Sequence, residues 1–368
     1  MKVLIVPDKF KGTLSSLKAA RAMAAGWKRR RPLDKIKILP MSDGGDGFGE
    51  VLGTLLGAKK VSFATVDAAH QPHKGYFWWE PKSKTAIIES AAIIGLSLLP
   101  AGKFHPYELD TFGLGVAILK AQAKGANRCL FGIGGSATND GGFGLAQALG
   151  WKFLDANKKE IQSWTGLAKL HKILAPTELP KFQELISAVD VQNLLTGSKG
   201  ASSIYGPQKG LKPQDIPKAD ALLNRLAKVY KKQFGWDPAG IGGAGAAGGL
   251  GFGLMAFLNA KVKSGFEIYS EETGLQEHIQ TAELVITGEG RLDQSTLMGK
   301  GAGQVALLCR KHKRPCIAMV GNIQTGLKSA TLFQHATAMD TLTTPDEAKS
   351  KPAHWLKKVS SNLAQRYK

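Results

Sequence analysis

Short apolar runs and amphipathic segments alternate from the first residues of the 368-residue chain. The apolar run KVLIV (residues 2–6) predicts a buried strand, and apolar positions at helical spacing from Ser15 to Arg31 predict a helix. A second strand, KIKILPM (residues 35–41), and a second helix, from Phe48 to Leu56, follow. Strands that alternate with helices in this way indicate a parallel sheet.

The same alternation returns in the last quarter of the chain. LVIT (residues 284–287) predicts a strand, and a helix is expected from Ser295 to Lys311. CIAMVG (residues 316–321) predicts another strand, and a closing helix is expected from Asp346 to Gln365. Between the two ends, β-branched and aromatic residues predict antiparallel strands in three segments, VSFATVDA, GYFWWE and TAIIES.

These segments predict an α/β protein with two domains. Residues 1–64 and 284–368 are expected to form a Rossmann-like parallel-sheet domain built from both ends of the chain, with residues 65–283 as an inserted α/β domain of mixed sheet. Open parallel sheets bind ligands at the carboxyl ends of their strands. The active site is therefore expected in the cleft between the two domains.

Composition narrows the class of protein. An apolar content of 43% and a charged content of 21% are typical of a globular protein. The three cysteines form no CxxC pair, which argues against a zinc site or disulfide framework and favours a reducing, cytoplasmic location. The first residues lack a signal-peptide pattern, and no apolar run is long enough to cross a bilayer, so no membrane association is expected.

The net charge of +20 bears on the partners of the chain. The basic residues are spread along it, and the densest run, Lys28 to Arg31, ends a predicted helix where cations suit the helix dipole. Aromatic residues are not interleaved with the basic runs as stacking platforms. We therefore expect no nucleic-acid partner and interpret the charge as a solvated surface that attracts small anionic substrates. The sequence does not fix the oligomeric state, for which a homodimer is one option.

The segment IGGSATNDGG, Ile133 to Gly142, has the composition of a phosphate-binding loop. Its glycines allow close approach of a ligand to the main chain, and its hydroxyls and the following helix N-terminus, at Phe143, offer hydrogen-bond donors. Comparable glycine-rich loops recur at PDKFKG, MSDGGDG, GPQKG, GAGAAGG and TGEGRLD. The residues expected to bind phosphate or nucleotide here are Gly134, Gly135, Ser136, Thr138, Asn139 and Asp140.

Charged and polar residues follow four of the predicted strands. In the first domain, Asp8, Lys11, Asp43, Glu289, Arg291, Asp293 and Asn322 come at carboxyl ends, where ligands of a parallel sheet bind. In the inserted domain, the segments expected to face the same cleft are Ser136–Asp140, Asp190–Asn193, Lys209 and Gly243–Gly248.

Taken together, the motifs resemble those of the bacterial glycerate kinases that begin with PDxFKGxL. The matching segments are PDKFKGTLSS, MSDGGDG, AIIESAAIIGL, IGGSATNDGG, YGPQKG, GAGAAGGLGFGL and TGEGRLDQSTLMGK, in family order up to about residue 321. The resemblance implies phosphorylation of D-glycerate at its 2- or 3-hydroxyl, with ATP and Mg²⁺. The chain departs from the family pattern at Asp46, Phe48, Asp110–Gly115 and Leu194, which puts substrate detail in question more than the reaction class.

Phosphoryl transfer needs cations on the transferring phosphate, carboxylates for Mg²⁺ and an acceptor for the hydroxyl proton. Lys11, Lys209 and Lys300 are expected to neutralise phosphate charge, and Arg291 is expected to bind the substrate carboxylate. Asp43, Asp190 and Asp293 are the candidate general bases or metal ligands. Asp190 is favoured as the base, since burial after LISAVD would raise its pKa, and Asp43 and Asp293 as the metal ligands. The remaining expectations are substrate binding by Asp8, Glu289 and Asn193, and nucleotide binding by Gly243 and Gly245.

Two other classes of function stay open at this point. Gly243, Gly245 and Gly248 match the GxGxxG pattern of an NAD-dependent oxidoreductase, but no buried strand precedes them in the sequence. No Walker A sequence is present, so a nucleotide site of the P-loop kind is not expected. A nucleic-acid binder is the third class, which the spread of the basic residues disfavours.

Overall fold

The structure is a computed structural model that describes residues 1–42, 44–45, 47–327 and 331–367. Its strands are β1 (Lys2–Pro7), β2 (Lys35–Ile38), β3 (Lys59–Val66), β4 (Pro72–Glu80), β5 (Thr85–Glu89), β6 (Arg128–Gly132), β7 (Lys152–Leu154), β8 (Lys172–Leu174), β9 (Glu184–Ala188), β10 (Lys261–Lys263), β11 (Leu284–Gly288), β12 (Arg291–Leu292), β13 (Cys316–Val320), β14 (Asn322–Ile323) and β15 (His335–Ala338).

The α-helices connect and cover these strands. They are α1 (Ser16–Lys28), α2 (Phe48–Leu55), α3 (Ala91–Ile94), α4 (Phe112–Ala123), α5 (Phe143–Ala148), α6 (Ala201–Tyr205), α7 (Ile216–Phe234), α8 (Ala246–Leu258), α9 (Gly265–Thr273), α10 (Leu275–Thr281), α11 (Gln294–Leu297), α12 (Ala302–Lys311), α13 (Pro345–Ser350) and α14 (Pro352–Ala364).

The chain forms two compact units. The terminal unit comprises Met1–Asp43 and Phe266–Lys368, and the inserted unit comprises Gly44–Gly265. Both boundaries lie about 20 residues before the positions expected from the sequence. Helix α2 and strand β3 belong to the inserted unit because α2 packs on β4 and β5, and β3 pairs with β4. Helix α10 belongs to the terminal unit because it packs on α12 and β1.

The terminal unit is built on a five-stranded sheet in the order β15-β13-β11-β1-β2, and every pair in it is parallel. Its three central strands, β1, β11 and β13, are buried almost throughout, as expected for a sheet covered on both faces. The core beside this sheet includes Met23 and Trp27 of α1 and Leu356 of α14.

The inserted unit is built on a six-stranded mixed sheet in the order β10-β9-β6-β5-β4-β3. Strands β10, β9, β6 and β5 run parallel, and β4 and β3 continue the sheet as antiparallel strands. Its core contains an aromatic cluster that includes Phe143, Phe153, Tyr230 and Phe257. A parallel sheet and a separate mixed sheet confirm the predicted α/β fold class.

Two of the predicted helices are shorter in the structure than the periodicity indicated. The helix expected from Ser295 to Lys311 is divided into α11 and α12, because Gly299 and Gly301 have positive φ angles of 84° and 52°. The closing helix expected from Asp346 to Gln365 is divided into α13 and α14 at Lys351. Pro352 follows directly, and a proline disfavours helical geometry in the residue before it. Both predictions of a continuous helix were wrong.

None of the helices in the described residues combines the length and apolar content that a bilayer span requires.

Asp34 lies at the centre of a polar network in the terminal unit. Its carboxylate accepts hydrogen bonds from Trp27 Nε1 (2.9 Å) and Arg31 Nε (2.9 Å), and the residue is only 3% exposed. Arg31 also donates to the main-chain carbonyl of Tyr367. Burial raises the pKa of the Asp34 carboxyl, but the hydrogen bonds from Arg31 and Trp27 outweigh this effect and lower the pKa to about 2. The network ties α1 to the end of the chain.

We predict that Asp34→Asn lowers the free energy of unfolding at neutral pH, because Arg31 and Trp27 lose a charged acceptor. The folded-state pKa lies below the ordinary value of 3.8, so the carboxylate stabilises the fold above about pH 4. This contribution is lost as the pH falls towards 2. We therefore expect the free energy of unfolding, measured in urea, to fall less between pH 7 and pH 3 in Asp34→Asn than in the wild type. The exposed Glu178→Gln variant is the control, and an unchanged pH dependence in Asp34→Asn would contradict the account.

Candidate functional site

Two acidic residues follow central strands at the carboxyl edge of the terminal sheet. Asp8 comes directly after β1, is 7% exposed, and its Oδ1 accepts a hydrogen bond from the main-chain nitrogen of Lys9 at 2.7 Å. Glu289 comes directly after β11, and its Oε1 accepts a hydrogen bond from Thr296 Oγ1 at 2.7 Å. The parallel pairing of β1 with β11 brings the two side chains to neighbouring positions at this edge.

The main chain at Gly301 passes beside both carboxylates. A Cβ atom built on Gly301 would lie 2.7 Å from Glu289 Oε2 and 3.4 Å from Asp8 Oδ2. The residue also has a φ of 52°, which side chains rarely adopt. Glycine is therefore required here for two reasons, and the start of α12 is held against the two carboxylates.

Three predicted cationic residues are exposed at the same edge: Lys11, Arg291 and Lys300. Arg291 opens β12, which pairs in parallel with β14 at Asn322. The loop of Lys11 packs closely on this region, since a Cβ atom built on Gly290 would lie 3.2 Å from the Lys11 main-chain nitrogen. The terminal unit thus presents exposed cations beside one buried carboxylate, Asp8, and one half-buried carboxylate, Glu289.

Asp293 has a structural task that the sequence left undecided. It precedes α11, and its Oδ1 accepts hydrogen bonds from the main-chain nitrogen of Ser295 (2.8 Å) and from Ser295 Oγ (2.6 Å). The side-chain hydrogen bond from Ser295 lowers the pKa of the Asp293 carboxyl. Asp293 is therefore a helix cap. Asp43, the other predicted metal ligand, lies outside the described residues.

The inserted sheet has its own carboxyl edge, where two of the predicted residues, Gly134 and Asp190, lie. Glu89, Gly134, Asp190 and Gly265 follow or end the four parallel strands β5, β6, β9 and β10. The Asp190 Oδ1 atom accepts a hydrogen bond from the main-chain nitrogen of Gly265 at 3.0 Å. Asp190 is exposed, so the burial expected for it from the sequence was wrong. Its role as a base stays a prediction that burial does not support.

The glycine-rich segment 133–142 divides into a reachable part and a buried part. Gly135 is exposed and Gly134 half-buried, whereas Thr138, Asn139 and Asp140 are fully buried. The buried side chains are enclosed by the inserted unit itself.

Asp140 joins this segment to two helices. Its Oδ2 accepts hydrogen bonds from the Thr111 main-chain nitrogen (3.0 Å), from Thr111 Oγ1 (2.8 Å) and from the Gly144 main-chain nitrogen (3.0 Å). Burial, followed by the neighbouring Asp110 carboxylate, raises the pKa of the Asp140 carboxyl to about 6. Asp140 therefore supports the starts of α4 and α5 from the interior.

Lys209 is also buried, with 6% of the residue exposed. Its Nζ donates hydrogen bonds to the Thr138 carbonyl oxygen (2.5 Å) and to Ser136 Oγ (3.1 Å). The Ser136 hydroxyl in turn donates to the Ala247 carbonyl oxygen at 3.1 Å. Burial lowers the pKa of the Lys209 ammonium group to about 7. Lys209 thus joins the segment 133–142 to the glycines that begin α8.

These glycines approach segment 133–142 main chain to main chain. A Cβ atom on Gly248 would lie 2.0 Å from the Thr138 carbonyl oxygen, and one on Gly253 would lie 2.6 Å from the Gly142 Cα. The Gly141 main-chain nitrogen donates to the Gly248 carbonyl oxygen at 3.1 Å. Only glycine allows these distances. We call the two interlocked segments, residues 136–142 and 247–253, the glycine interlock.

The GxGxxG residues pack on the chain itself. Gly243 and Gly245 both donate from their main-chain nitrogens to the Asn193 carbonyl oxygen, at 3.2 and 2.9 Å. Residues 247–249 have left-handed φ and ψ angles, so regular helical geometry in α8 begins only at Leu250. No strand lies in the described residues between α7 and α8. The strand-turn-helix context that an NAD-binding fingerprint requires is therefore missing.

Asn193 is held by both ends of its amide. Its Oδ1 accepts a hydrogen bond from Tyr205 OH (2.7 Å), and its Nδ2 donates to the Lys199 carbonyl oxygen (2.7 Å). Residues 192–194 and 196–199 line an open cavity of about 470 Å³ in the inserted unit. Asn193 therefore shapes the wall of this cavity.

Sequence reasoning missed several residues that hold the site together. Glu89 ends β5 and accepts hydrogen bonds from the main-chain nitrogens of Gly47 and Gly49, and Thr111 binds Asp140. Glu89 lies in the motif AIIES, to which no role was given. An acidic residue at the end of a mostly apolar, buried strand was the signal that could have identified it.

Comparison with known proteins defines the class of the chain. The model of the glycerate kinase family matches residues 3–368. The chain therefore belongs to the glycerate kinase family, and the resemblance found in the sequence is confirmed. It is a phosphotransferase with an alcohol group as acceptor, a small-molecule substrate and ATP as co-substrate.

Individual relatives support the same family. A glycerate kinase from Halalkalibacterium halodurans is 37% identical, over 98% of this chain and 97% of the relative. A glycerate 2-kinase from Escherichia coli K12 is 40% identical, over 88% of this chain and 86% of the relative. The crystal structure of a protein from Salmonella typhimurium LT2 assigned as glycerate kinase 2 superposes with a TM-score of 0.88 at 32% identity, covering 100% of this chain and 98% of that one.

We predict that Lys209→Met destabilises the inserted unit, because the Thr138 carbonyl oxygen and the Ser136 hydroxyl lose their buried donor. The free energy of unfolding should fall by about 1–3 kcal/mol. Lys212→Met, at an exposed position three residues further on, should change it by less than about 0.5 kcal/mol. Denaturant unfolding measures this free energy for both variants and for the wild type. Equal stability of Lys209→Met and the wild type would show that the lysine is not an interior support.

A second prediction concerns the glycine interlock. Gly248 and Gly235 have nearly the same φ, 72° and 70°, but an added Cβ meets the Thr138 carbonyl oxygen only at Gly248 and finds nothing within 4 Å at Gly235. Gly235→Ala should therefore cost only the backbone strain, about 1 kcal/mol. Gly248→Ala should cost several times more or prevent folding. Thermal unfolding of the pair separates the two effects, and equal melting temperatures would contradict the close approach.

Proposed function

We propose that the protein catalyses the ATP-dependent phosphorylation of D-glycerate to 2-phosphoglycerate. The observation that carries the proposal is the set of exposed cations, Lys11, Arg291 and Lys300, at the carboxyl edge of the terminal sheet. Both glycerate and the transferred phosphate are anions. Family membership supports glycerate as the substrate, and the name of the Escherichia coli relative supports the 2-hydroxyl as the acceptor.

Arg291 is the proposed ligand of the glycerate carboxylate. A guanidinium group can donate two parallel hydrogen bonds to a carboxylate, which fixes the orientation of the substrate. Asp8 and Glu289 are the proposed acceptors for its hydroxyl groups, since their carboxylates lie at the same edge, and Asn193 is proposed as a further substrate contact. The buried position of Asp8 favours a fixed acceptor geometry.

The proposed phosphate contacts are the reachable residues of the glycine-rich segment, Gly134 and Gly135, together with Lys11 and Lys300. The buried members, Thr138, Asn139, Asp140 and Lys209, support the shape of that segment from within. Ser136, Gly243 and Gly245 belong to the same support through their contacts within the inserted unit. Of the residues predicted to contact nucleotide, we therefore propose direct phosphate contact only for those that are not buried.

In the proposed reaction, a hydroxyl oxygen of glycerate forms a bond to the γ-phosphorus of ATP. The bond from that phosphorus to the oxygen that bridges it to the β-phosphate breaks, ADP leaves, and the hydroxyl proton passes to a carboxylate. Asp190 is the proposed acceptor of that proton, with Asp43 as the alternative. Lys11 would offset the negative charge of the transferring phosphate.

A role for Mg²⁺ stays a proposal. Among residues 1–42, 44–45, 47–327 and 331–367, no three His, Cys, Asp or Glu side chains form a metal site. An enzyme that transfers a phosphoryl group from ATP does not need three such side chains. In these enzymes Mg²⁺ is usually held by one or two carboxylates together with the substrate phosphates. Asp293 is a proposed ligand of such a shared ion, with Asp43 as the second predicted ligand. The ion would neutralise phosphate charge.

The cytoplasmic location and a homodimer also stay predictions.

The reaction is tested by incubating the protein with ATP, Mg²⁺ and D-glycerate and recording the phosphorus NMR spectrum of the product. Phosphate on the 2-hydroxyl couples to one proton on its carbon and gives a doublet, whereas phosphate on the 3-hydroxyl couples to two and gives a triplet. A doublet is expected. A triplet would overturn the choice of hydroxyl, and no organic phosphate would overturn the proposed activity.

We predict that Arg291→Lys raises the KM for glycerate by about 10- to 100-fold, because lysine cannot form the two parallel hydrogen bonds. The KM for ATP should change little. Arg310→Lys is the matched control, since Arg310 is exposed at the C-terminal end of α12, away from the carboxyl edge. Steady-state kinetics with each substrate varied in turn measures both constants. An unchanged KM for glycerate in Arg291→Lys would remove Arg291 from the substrate site.

A further inference from the structure

Glu89 and Ser90 stand at the carboxyl end of β5, in the middle of the inserted sheet. Glu89 is 8% exposed and Ser90 is 1% exposed. Strand β5 pairs in parallel with β6, so the two residues lie next to the start of the glycine-rich segment that follows β6. A buried carboxylate is costly unless it is hydrogen-bonded. The partners of Glu89 therefore indicate what it does.

Glu89 binds the start of helix α2. Its Oε1 accepts a hydrogen bond from the Gly47 main-chain nitrogen (2.6 Å), and its Oε2 accepts one from the Gly49 main-chain nitrogen (3.2 Å). Gly47, the residue before the helix, supplies no side-chain cap. The carboxylate of a distant strand thus satisfies main-chain donors that a local cap would otherwise satisfy, at the positive end of the helix dipole.

Close packing holds α2 against the same region. A Cβ atom on Gly49 would lie 3.0 Å from Glu89 Oε2 and 3.2 Å from Trp78 Cδ1, and one on Gly53 would lie 2.4 Å from Trp78 Cδ2. The helix therefore meets Glu89 and the Trp78 ring through a face without side chains. A larger residue at Gly49 would push the helix away from the carboxylate.

The segment before the helix crosses the ends of the other parallel strands. A Cβ atom on Gly44 would lie 2.9 Å from Ala188 Cβ and 3.2 Å from both Asp190 Oδ2 and the Gly265 Cα. A Cβ atom on Gly134 would lie 3.0 Å from the Gly45 Cα. Gly44, Gly45, Gly47 and Gly49 therefore lie over the ends of strands β10, β9, β6 and β5. Ser90 completes the arrangement, because its Oγ donates to the Gly134 carbonyl oxygen at 3.0 Å.

We propose that Glu89 is a positioning residue for phosphoryl transfer: its buried carboxylate fixes Gly47 and Gly49 at the start of α2, and thereby holds Gly44 and Gly45 beside Asp190 and Gly134. The kinetic part of this inference rests on the proposed function. Asp43, a predicted catalytic residue outside the described part of the chain, directly precedes Gly44 in the sequence. Gly134 and Asp190 are proposed contacts of the phosphate and of the hydroxyl proton, and small displacements of reacting groups are costly in rate.

The test compares Glu89→Gln with Glu50→Gln. The glutamine at position 89 keeps the volume but turns an amide N–H towards a main-chain N–H in place of one acceptor. Glu50 is an exposed acid on the same helix, so its variant controls for the loss of charge. Glu89→Gln should lower kcat by about 10- to 100-fold, and hydrogen exchange of residues 44–50 should become faster. Glu50→Gln should change neither. Unchanged exchange in Glu89→Gln would overturn the inference.

Two further variants keep the inference testable. If Glu89 acts by holding Gly44 beside Asp190, the double variant Asp190→Asn, Glu89→Gln should be no slower than Asp190→Asn alone. Multiplied losses would show an independent action of Glu89 and overturn the inference. If Glu89→Gln does not fold, Gly49→Ala disturbs the same contact from the helix side and should give the same faster exchange and slower turnover. Wild-type exchange and wild-type turnover in Gly49→Ala would then overturn the inference.

The exchange measurement separates this inference from the proposed function. It reports on residues 44–50 whether or not glycerate is the substrate. A wild-type protein without glycerate kinase activity would overturn the proposed function and leave the exchange result to decide the structural role of Glu89. An active wild type with unchanged exchange in Glu89→Gln would overturn the inference about Glu89 and leave the proposed function standing.

Discussion

Main-chain contact between two glycine-rich segments is the constraint on which the inserted unit depends. In the glycine interlock, carbonyl and Cα atoms approach to distances that no Cβ atom would allow. Several of the buried polar groups inside it are hydrogen-bonded by the protein itself. Lys209 does this for the Thr138 carbonyl oxygen and Ser136, and Thr111 does it for Asp140. The buried charged side chains of Lys209 and Asp140 therefore bind the glycine-rich segment from within the unit.

The motif IGGSATNDGG contains two kinds of residue, which its composition alone does not distinguish. IGGSATNDGG contains residues that a ligand can reach, Gly134 and Gly135, and residues that it cannot reach, from Thr138 to Asp140. The buried residues attach the loop to the starts of α4 and α5 through the hydrogen bonds of Asp140. The reachable residues follow β6 at the carboxyl edge of the sheet. A similar division holds in the terminal unit, where Asp293 caps α11 while Arg291 is exposed.

The sequence was most informative where periodicity and strand ends carry the signal. Continuous apolar runs identified the buried strands β1, β11 and β13, and alternation with helices indicated the parallel sheet. It was less informative where a glycine or proline ended a helix, as at Gly299, Gly301 and Pro352, because hydrophobic spacing continues across such breaks. Motif composition also could not separate the exposed residues from the buried supports. Lys209 and Arg291 are both basic residues in glycine-rich segments, and only their burial distinguishes them.

A crystal structure with a non-hydrolysable ATP analogue and glycerate tests the central claim directly, which is that buried residues shape the phosphate-binding segment and exposed residues bind the ligand. The account predicts a phosphate group against the main chain of Gly134 and Gly135, with Lys209 Nζ still bound to the Thr138 carbonyl oxygen. A Lys209 ammonium group that has left Thr138 and contacts a phosphate oxygen would contradict it.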